Sequence, residues 1–216
     1  MELNTSWNNT DVTVTFEATD ELSGIASVTE PITVTTEGED QYVGGEAVDI
    51  ADNQATTYAI VNLDKTPPQT TAVVEPLANE YGWNNSFPVN ITFNATDNLS
   101  GIAYTTEPVS LSSEGIYTID YYSIDFADNI EPTKTTTIKI DTTPPITEYT
   151  LSENPNQYGW INKLPLTISF SATDPLLSDG NPPSGVAFIT PDKTIENEGV
   201  HTIDSVSYTH LTLPTN

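Results

Sequence analysis

The stretch "VNITFNATDNLSGIA", from Val89 to Ala103, contains the pattern from which the fold of this chain is predicted. Over residues 89–96 apolar side chains alternate with polar ones, which is typical of a β-strand with one buried and one solvated face. The segment from Asp97 to Gly101 is short and polar and ends in Ser-Gly, as turns often do. The stretch therefore predicts a strand followed by a turn that begins with an acidic residue.

This stretch occurs three times along the chain. It recurs as "VTVTFEATDELSGIA" from Val12 and as "LTISFSATDPLLSDGNPPSGVA" from Leu166, so that the Ala-Thr-Asp triplets lie about 77 residues apart. Further anchors follow in the same order: Trp7, Trp83 and Trp160; Glu37-Gly38, Glu114-Gly115 and Glu198-Gly199; Asp49–Asn53 and Asp125–Asn129; Asp64–Pro68 and Asp141–Pro145. Several anchors in a fixed order establish an internal repeat.

The repeats predict an all-β chain. No window shows the period of an amphipathic helix, and several short alternating runs per repeat, separated by turn residues, are typical of Ig-like antiparallel β-sandwiches. The Thr-Pro-Pro segments serve as linkers, because proline cannot donate to a sheet and stiffens the backbone. The predicted domains are a repeat lacking its first strand (1–65), a complete repeat (66–143), a repeat truncated before its last strands (144–204) and a non-native tail (205–216).

The composition restricts the partners. The 216 residues carry 31 acids against five Lys and no Arg, giving a formal net charge of −26. That charge excludes nucleic acid and anionic membrane surfaces as partners, since both attract basic proteins. The chain has no Cys and therefore no disulfide or thiolate site, and no apolar run approaches the roughly 20 residues that span a bilayer.

The ordered motifs resemble bacterial and archaeal Ig-like or fibronectin-type repeats found in tandem on secreted proteins, and are most similar to the group labelled OmpL-type β-barrel repeats. The matching positions are Gly82-Trp83, Ala95-Thr96-Asp97, Ser100-Gly101, Glu114-Gly115, Tyr117-Ile119-Tyr121 and Asp125–Asn129. The chain departs from that family at Asp52 and Asp128, where the family usually has Gly. The resemblance implies a sandwich despite the barrel label, a location outside the cytoplasm, and no catalytic residues.

The segment from Ser205 to Asn216, "SVSYTHLTLPTN", follows a different pattern from the middle repeat. It closely resembles the translated read-through of a sequencing adapter, and we expect it to be non-native. The alternative is a divergent natural strand. Because "VSYTHLTL" alternates well, we expect it to be able to occupy the place of the missing strand.

An enzyme is not expected. Outside the tail the only histidine is His201, which takes the place of Tyr117 in the repeat and is predicted to pack on a core-facing strand. A Ser-His-Asp arrangement would need a polar pocket around that residue, and nothing in the spacing predicts one. No phosphate-binding glycine loop, HExxH motif or nucleophile elbow is present.

Six oxygen-bearing side chains are predicted to meet at one end of the middle repeat. In an Ig-like sandwich the loop after the second strand and the loop before the last strand share an end, and the preceding linker reaches it. Calcium prefers such carboxylate and amide ligands, but the favoured interpretation is that these aspartates accept hydrogen bonds from turn amides. The candidate ligands are Asp64, Asp97, Asn98, Asp125, Asp128 and Asn129. No cofactor is required by this interpretation, and calcium is the one candidate.

Two further surface features are predicted. Asn90 and Asn94 begin Asn-x-Thr sequons on the solvated face of their strand, where a glycan would fit. Tyr and Trp residues that precede the strands would either stack on carbohydrate or cap the core, which is the commoner role of Trp in such repeats.

The predicted function is that of a structural or adhesive spacer in a long secreted or cell-surface protein, where it spaces or presents other domains. Its partners would be neighbouring repeats and, beyond them, a cell-surface polysaccharide or protein ligand. The alternative is an accessory carbohydrate-binding module beside a secreted hydrolase. A calcium-stiffened version of the spacer is a third interpretation.

Overall fold

The computed structural model describes residues 6–209. Within this range the chain forms nineteen strands and no helix, so the all-β prediction is confirmed and the arrangement is sandwich-like. Residues 6–209 accordingly contain no helix that is long and apolar enough to cross a membrane. Residues 1–5 of the first predicted domain and residues 210–216 of the predicted tail lie outside the described residues.

The strands follow the three repeats. The first repeat contains β1 (Trp7–Asn8), β2 (Val12–Val14), β3 (Ile25–Val28), β4 (Ile32–Val34), β5 (Gly38–Asp49) and β6 (Gln54–Leu63). The middle repeat contains β7 (Gln69–Glu75), β8 (Trp83–Asn84), β9 (Val89–Thr96), β10 (Ile102–Thr105), β11 (Val109–Leu111), β12 (Gly115–Tyr121), β13 (Ser123–Asp125) and β14 (Lys134–Ile140). The third contains β15 (Ile146–Leu151), β16 (Leu166–Thr173), β17 (Phe188–Ile189), β18 (Lys193–Ile195) and β19 (Ser207–Tyr208).

Corresponding strands pair in corresponding ways. The middle repeat has sheets in the orders β11-β9-β7 and β12-β14-β8, and a β10-β13 pair. The first repeat has the sheet β1-β6-β5-β3 and the pair β2-β4, and the third has β15-β16-β18 and β17-β19. In the first and middle repeats, the short strand that begins with Trp pairs in parallel with the last strand of the same repeat. These pairs are β1 with β6 and β8 with β14.

The alternation that predicted β9 decides which of its side chains are buried. Val89 and Ile91 are fully buried and Phe93 is 9% exposed, while the intervening polar residues face solvent. Phe93 stacks on Tyr121 of β12, with ring centroids 4.9 Å apart. The period of two therefore places one face of β9 in the core, as expected from the sequence.

Strand β2 is shorter than its sequence predicts. The alternation continues to Ala18, but only Val12–Val14 form a strand. The corresponding strands β9 and β16 each have a neighbour on both sides, whereas β2 pairs with β4 alone among the described residues. Because a strand is held by its neighbours' hydrogen bonds, the one-sided β2 ends early.

Two residues of the tail form a short strand, and residues 210–213 of the predicted alternating run lie outside the described residues. Ser207 and Tyr208 pair with β17 as β13 pairs with β10. The flanking hydrogen bond is also repeated: Thr190 Oγ1 donates to the carbonyl of Val206 at 3.1 Å, as Thr106 Oγ1 does to Tyr122 at 3.0 Å. The expectation that this tail is non-native remains a prediction from its sequence.

The chain divides into two compact units, which do not coincide with the repeats. The first comprises the described residues up to Val73 with Thr92–Pro108 and Asp120–Thr135. The second comprises Val74–Ile91, Val109–Ile119 and the described residues from Thr136 onward. The predicted limits of the repeats remain a prediction.

A buried glutamate links three strands within the first unit. Glu131 is 2% exposed and forms an ion pair with Lys134. Its Oε1 accepts the backbone N–H of Thr70 at 2.9 Å, and Thr70 Oγ1 lies 2.7 Å from Ser123 Oγ. Burial alone would raise the pKa of Glu131, but the hydrogen bonds from Lys134 and Thr70 outweigh it and hold the pKa below its ordinary value. The network fastens β7 to β13 and β14.

The core of the first repeat depends on a glycine that makes room for an aromatic ring. Val43, Val61 and Leu63 form the buried cluster, and Phe16 packs against it. A Cβ placed on Gly45 would lie 2.3 Å from the Phe16 ring, which is too close for any real contact. Side chains larger than glycine are therefore excluded at this position while Phe16 keeps its place.

We expect Gly45→Ala to lower the free energy of unfolding by about 1–3 kcal/mol, the usual cost of overpacking. Its matched control is Gly44→Ala, because a Cβ there would meet only the Thr57 carbonyl oxygen at 4.0 Å. That variant should be neutral or slightly stabilising, since alanine is less flexible than glycine in the unfolded chain. Guanidinium denaturation measures both. Equal midpoints for the two variants would contradict the packing assigned to Phe16.

Candidate functional site

Two linkers, one after β6 and one after β14, each begin with a buried aspartate. Asp64 and Asp141 are each 1% exposed. The N–H of Asp64 donates to the Asn8 carbonyl and that of Asp141 to the Asn84 carbonyl, both at 2.9 Å. The short Trp-Asn strands of the first and middle repeats thus fix where the two linkers begin.

The side chain of each linker aspartate reaches the next repeat. Asp64 Oδ1 accepts the Thr66 N–H and Oδ2 accepts the Ser100 N–H, both at 3.0 Å. Asp141 does the same with Thr143, at 3.1 Å, and with Ser184, at 2.9 Å. One carboxylate therefore joins the Thr-Pro-Pro segment to the Ser-Gly turn of the following repeat.

A glutamate of the preceding repeat holds the linker from the other side. Glu37 Oε1 accepts the Lys65 N–H at 2.6 Å and the Thr66 hydroxyl at 2.9 Å. In the next junction Glu114 Oε1 accepts the Thr142 hydroxyl and the Thr143 hydroxyl, each at 2.7 Å.

These contacts favour ionised Glu114. The hydrogen bonds of Thr142 and then Thr143 lower the pKa of Glu114 below its ordinary value of 4.5. Sequence reasoning used the Glu-Gly motif only as a marker of the repeat and missed this role.

The aspartate of each Ala-Thr-Asp triplet closes a turn. Asp97 Oδ2 accepts the N–H groups of Leu99 and Gly101, at 3.0 and 2.9 Å. In the first repeat Asp20 accepts the Gly24 N–H at 2.7 Å and the Ser23 hydroxyl at 2.9 Å. Those two hydrogen bonds lower the pKa of Asp20, the Gly24 bond contributing most. The turn interpretation of the aspartate is thus directly visible.

An aspartate also holds the loop at residues 125–129 by accepting backbone N–H groups. Asp125 is fully buried, and its Oδ1 accepts the N–H groups of Ala127 and Asn129 at 2.9 and 2.8 Å. Asn129 Nδ2 donates to Asp125 Oδ2 and to the backbone carbonyl of Asp64, both at 2.9 Å. Asn129 thereby connects this loop to the linker.

Asp49 repeats this loop in the first repeat. It accepts the N–H groups of Ala51 and Asn53 and the side-chain amide of Asn53, each at 2.8 Å. The Asn53 side chain is the main cause that lowers the pKa of Asp49. The loop therefore forms in both repeats, whether or not a linker aspartate precedes it among the described residues.

Three of the six predicted ligands come together within the first unit. Carboxylate oxygens of Asp64, Asp97 and Asp125 all lie within 4.8 Å of one another. Asn129 joins this group as a hydrogen-bond donor through Nδ2. Asn98 and Asp128 have exposed side chains, unlike the buried Asp64 and Asp125.

Backbone geometry accounts for Asp128. Asp128 has φ 65° and Asp52 has φ 66°, both in the left-handed region that favours glycine and that Asp tolerates. This backbone conformation gives Asp128 a conformational role in the loop.

The predicted surface sites are exposed as expected. Asn90 and Asn94 both face solvent, and Asn90 Oδ1 accepts the Ser110 hydroxyl at 2.8 Å. The sequon asparagine Asn84 is instead 4% exposed, which leaves no room for a glycan. Whether Asn90 and Asn94 carry glycans stays a prediction.

The tryptophans differ because their partner strands differ. Trp83 is half-buried, and Lys139 Nζ of the adjacent strand lies 5.6 Å from the centre of its ring, a cation–π contact. Trp160 has no such parallel strand beside it within residues 6–209 and is 62% exposed. Trp160 is thus exposed because it lacks a paired strand within residues 6–209. Contact of Trp160 with carbohydrate stays a prediction.

The prediction for His201 is wrong. Its side chain is exposed and lies outside any strand, with Nε2 2.9 Å from the Asn197 carbonyl oxygen. A core-facing position requires the strand that Tyr117 occupies in the middle repeat, and residues 201–206 do not form one.

No family model, curated protein or solved structure matches this chain.

We expect acid to weaken the Glu114 contacts. Since folding lowers the pKa of Glu114, its stabilising contribution is present above pH 4.5 and is lost as the pH falls through the lowered pKa. The unfolding free energy of Glu114→Gln should therefore fall less steeply below pH 4.5 than that of the unchanged protein. Denaturant titrations at several pH values measure this. Glu107→Gln, at an exposed glutamate, is the control; pH profiles for Glu114→Gln that parallel the control would contradict the role given to Glu114.

Proposed function

We propose that this chain is a non-enzymatic spacer module of a secreted or cell-surface protein, built from tandem Ig-like repeats. The ordered motifs, their resemblance to extracellular repeats and the all-β sandwich-like fold support this proposal. The strongly acidic composition suits a solvated surface that repels copies of itself.

The observation that carries the proposal is the way each linker is fastened. In both junctions a glutamate of the preceding repeat and a buried aspartate bind the same Thr-Pro-Pro segment, and the aspartate continues to the next repeat's turn. A linker that served as a hinge would leave its backbone groups to water. The polar groups of this linker instead form hydrogen bonds with the two flanking repeats. Such bonding suits a module that holds a fixed spacing.

The energetic scale supports a fixed junction. A hydrogen bond to a charged group contributes about 1.5–3 kcal/mol, and losing one at a buried carboxylate also leaves that charge unsatisfied. Asp64 and Asp141 each accept two backbone N–H groups while almost fully buried. Bending at a junction would break at least one of these bonds, so the bonded state is favoured over a freely hinged one.

The site supports a structural role more than a catalytic one. Within residues 6–209 the only histidine at the repeats, His201, is exposed and bonds to a nearby carbonyl. Asp97 and Asp125 accept N–H groups of their own turns, and Asp64 accepts N–H groups of the linker and of the next repeat's turn. The proposed partners are therefore neighbouring repeats, together with whatever surface ligand the parent protein presents.

The test is the mobility of a junction. In the double variant Glu114→Ala, Asp141→Ala, both carboxylates that hold the second linker are lost. We expect ¹⁵N relaxation to show the residues on either side of this linker tumbling with one correlation time in the unchanged protein and with separate, shorter times in the variant.

The matched control is Glu107→Ala, Asp120→Ala, which removes the same charge from two exposed positions of the middle repeat. It should tumble like the unchanged protein. Independent tumbling on the two sides of the linker in the unchanged protein would overturn the spacer proposal.

A further inference from the structure

We propose that the junction between the first and middle repeats holds one calcium ion. The site consists of four side chains: Asp64, Asp97, Asp125 and Ser100.

The spacing of the carboxylates fits a single ion. Calcium lies 2.3–2.6 Å from each oxygen ligand, so two ligands of one ion are at most about 5 Å apart. The three aspartates offer oxygens that all lie within 4.8 Å of one another. Each pair of these oxygens is therefore close enough to share one ion.

The negative charge of the three clustered aspartates favours the binding of a cation. Asp64 and Asp125 are 1% and 0% exposed, so little water screens their repulsion from each other and from Asp97. The ion pairs found among residues 6–209 use Asp11, Glu131 and Glu153 as their acids. The three clustered aspartates are thus neutralised only by backbone and side-chain N–H dipoles.

An independent sign of a ligand is the hydroxyl of Ser100. Ser100 is 8% exposed, and its Oγ is buried without any hydrogen-bond partner. Its position beside the cluster is fixed, because its own N–H binds Asp64 Oδ2 and the N–H groups on either side of it bind Asp97 Oδ2. Leaving a buried hydroxyl without a partner costs free energy, and a metal ligand role would satisfy it.

The serines of the corresponding turns differ from Ser100 in this respect. Ser23 Oγ donates to Asp20 at 2.9 Å, and Ser184 Oγ donates to Asp174 at 3.3 Å. In both cases the hydroxyl faces the aspartate of the same turn. At Ser100, where a linker aspartate and a loop aspartate both join the turn, the hydroxyl makes no such bond and remains available to an ion.

The ligand types select the ion. Carboxylate and hydroxyl oxygens are hard ligands that suit calcium, whereas zinc and copper sites normally include His or Cys. Magnesium demands a stricter octahedral geometry, which three carboxylates already fixed by turn amides are poorly placed to supply. Since Asp64 belongs to the linker and the other ligands to the next repeat, the ion would also stiffen the junction. Only this last effect rests on the proposed spacer function.

The first test is calcium titration of the full chain by isothermal calorimetry, with thermal unfolding in parallel. We expect about one ion per chain with a dissociation constant in the range of extracellular modules, about 10⁻⁴–10⁻³ M, and a rise in melting temperature as calcium is added. Magnesium, and sodium chloride at the same ionic strength, should give a smaller rise. No binding heat up to 10 mM calcium, or an equal rise with sodium chloride, would overturn the site.

Matched variants locate the ion. Asp97→Asn keeps an oxygen for the turn amides but removes a charge, and should weaken calcium binding at least tenfold, while Asp20→Asn should leave it unchanged within twofold. Ser100→Ala should also weaken binding, while Ser23→Ala should not. Equal affinities in Asp97→Asn and Asp20→Asn would overturn the proposal.

Ser100→Ala keeps the result interpretable if Asp97→Asn fails to fold, because it removes only one unbonded oxygen. Junction mobility, measured without calcium, is a separate readout. A fixed junction with no calcium binding would leave the spacer proposal intact and reject only the metal site.

Discussion

A buried carboxylate at the end of a repeat has to find hydrogen-bond donors, and the junctions of this protein follow from that requirement. Asp64 and Asp141 are both 1% exposed. A buried charge without hydrogen-bond donors would cost a large part of the free energy of unfolding that stabilises a domain. The donors are backbone N–H groups of the linker and of the next repeat's Ser-Gly turn. Folding of one repeat is therefore completed by groups of its neighbour, which ties spacing to stability.

The turn aspartates obey the same rule on a smaller scale. Asp49 and Asp125 hold their loops through the same three donors, although one loop adjoins a linker aspartate and the other does not among the described residues. The recurring acidic positions are thus primarily structural. What distinguishes the middle repeat is the convergence of Asp64, Asp97 and Asp125 within 4.8 Å.

The sequence predicted the strands well where alternation meets a partner on both sides, as in β9 and β16. It overestimated β2, because periodicity cannot reveal a missing neighbour, and it misplaced His201, because the strand of Tyr117 does not form at residues 201–206. Of the candidate ligands, the sequence located the aspartates through their fixed order, but it could not separate buried Asp125 from exposed Asp128. That difference depends on a left-handed residue at φ 65°. Ser100 belongs to the recurring Ser-Gly motif, yet its unbonded hydroxyl is a property of packing alone.

Amide hydrogen exchange at Ser100 and Ser184 is the most direct measurement of whether a linker carboxylate binds the next repeat's turn. Both N–H groups lie in turns, outside any strand, and would exchange quickly without the aspartates that accept them. We expect slow exchange at both residues in the unchanged protein, and fast exchange at Ser184 alone in Asp141→Ala. Fast exchange at both residues in the unchanged protein would contradict this binding.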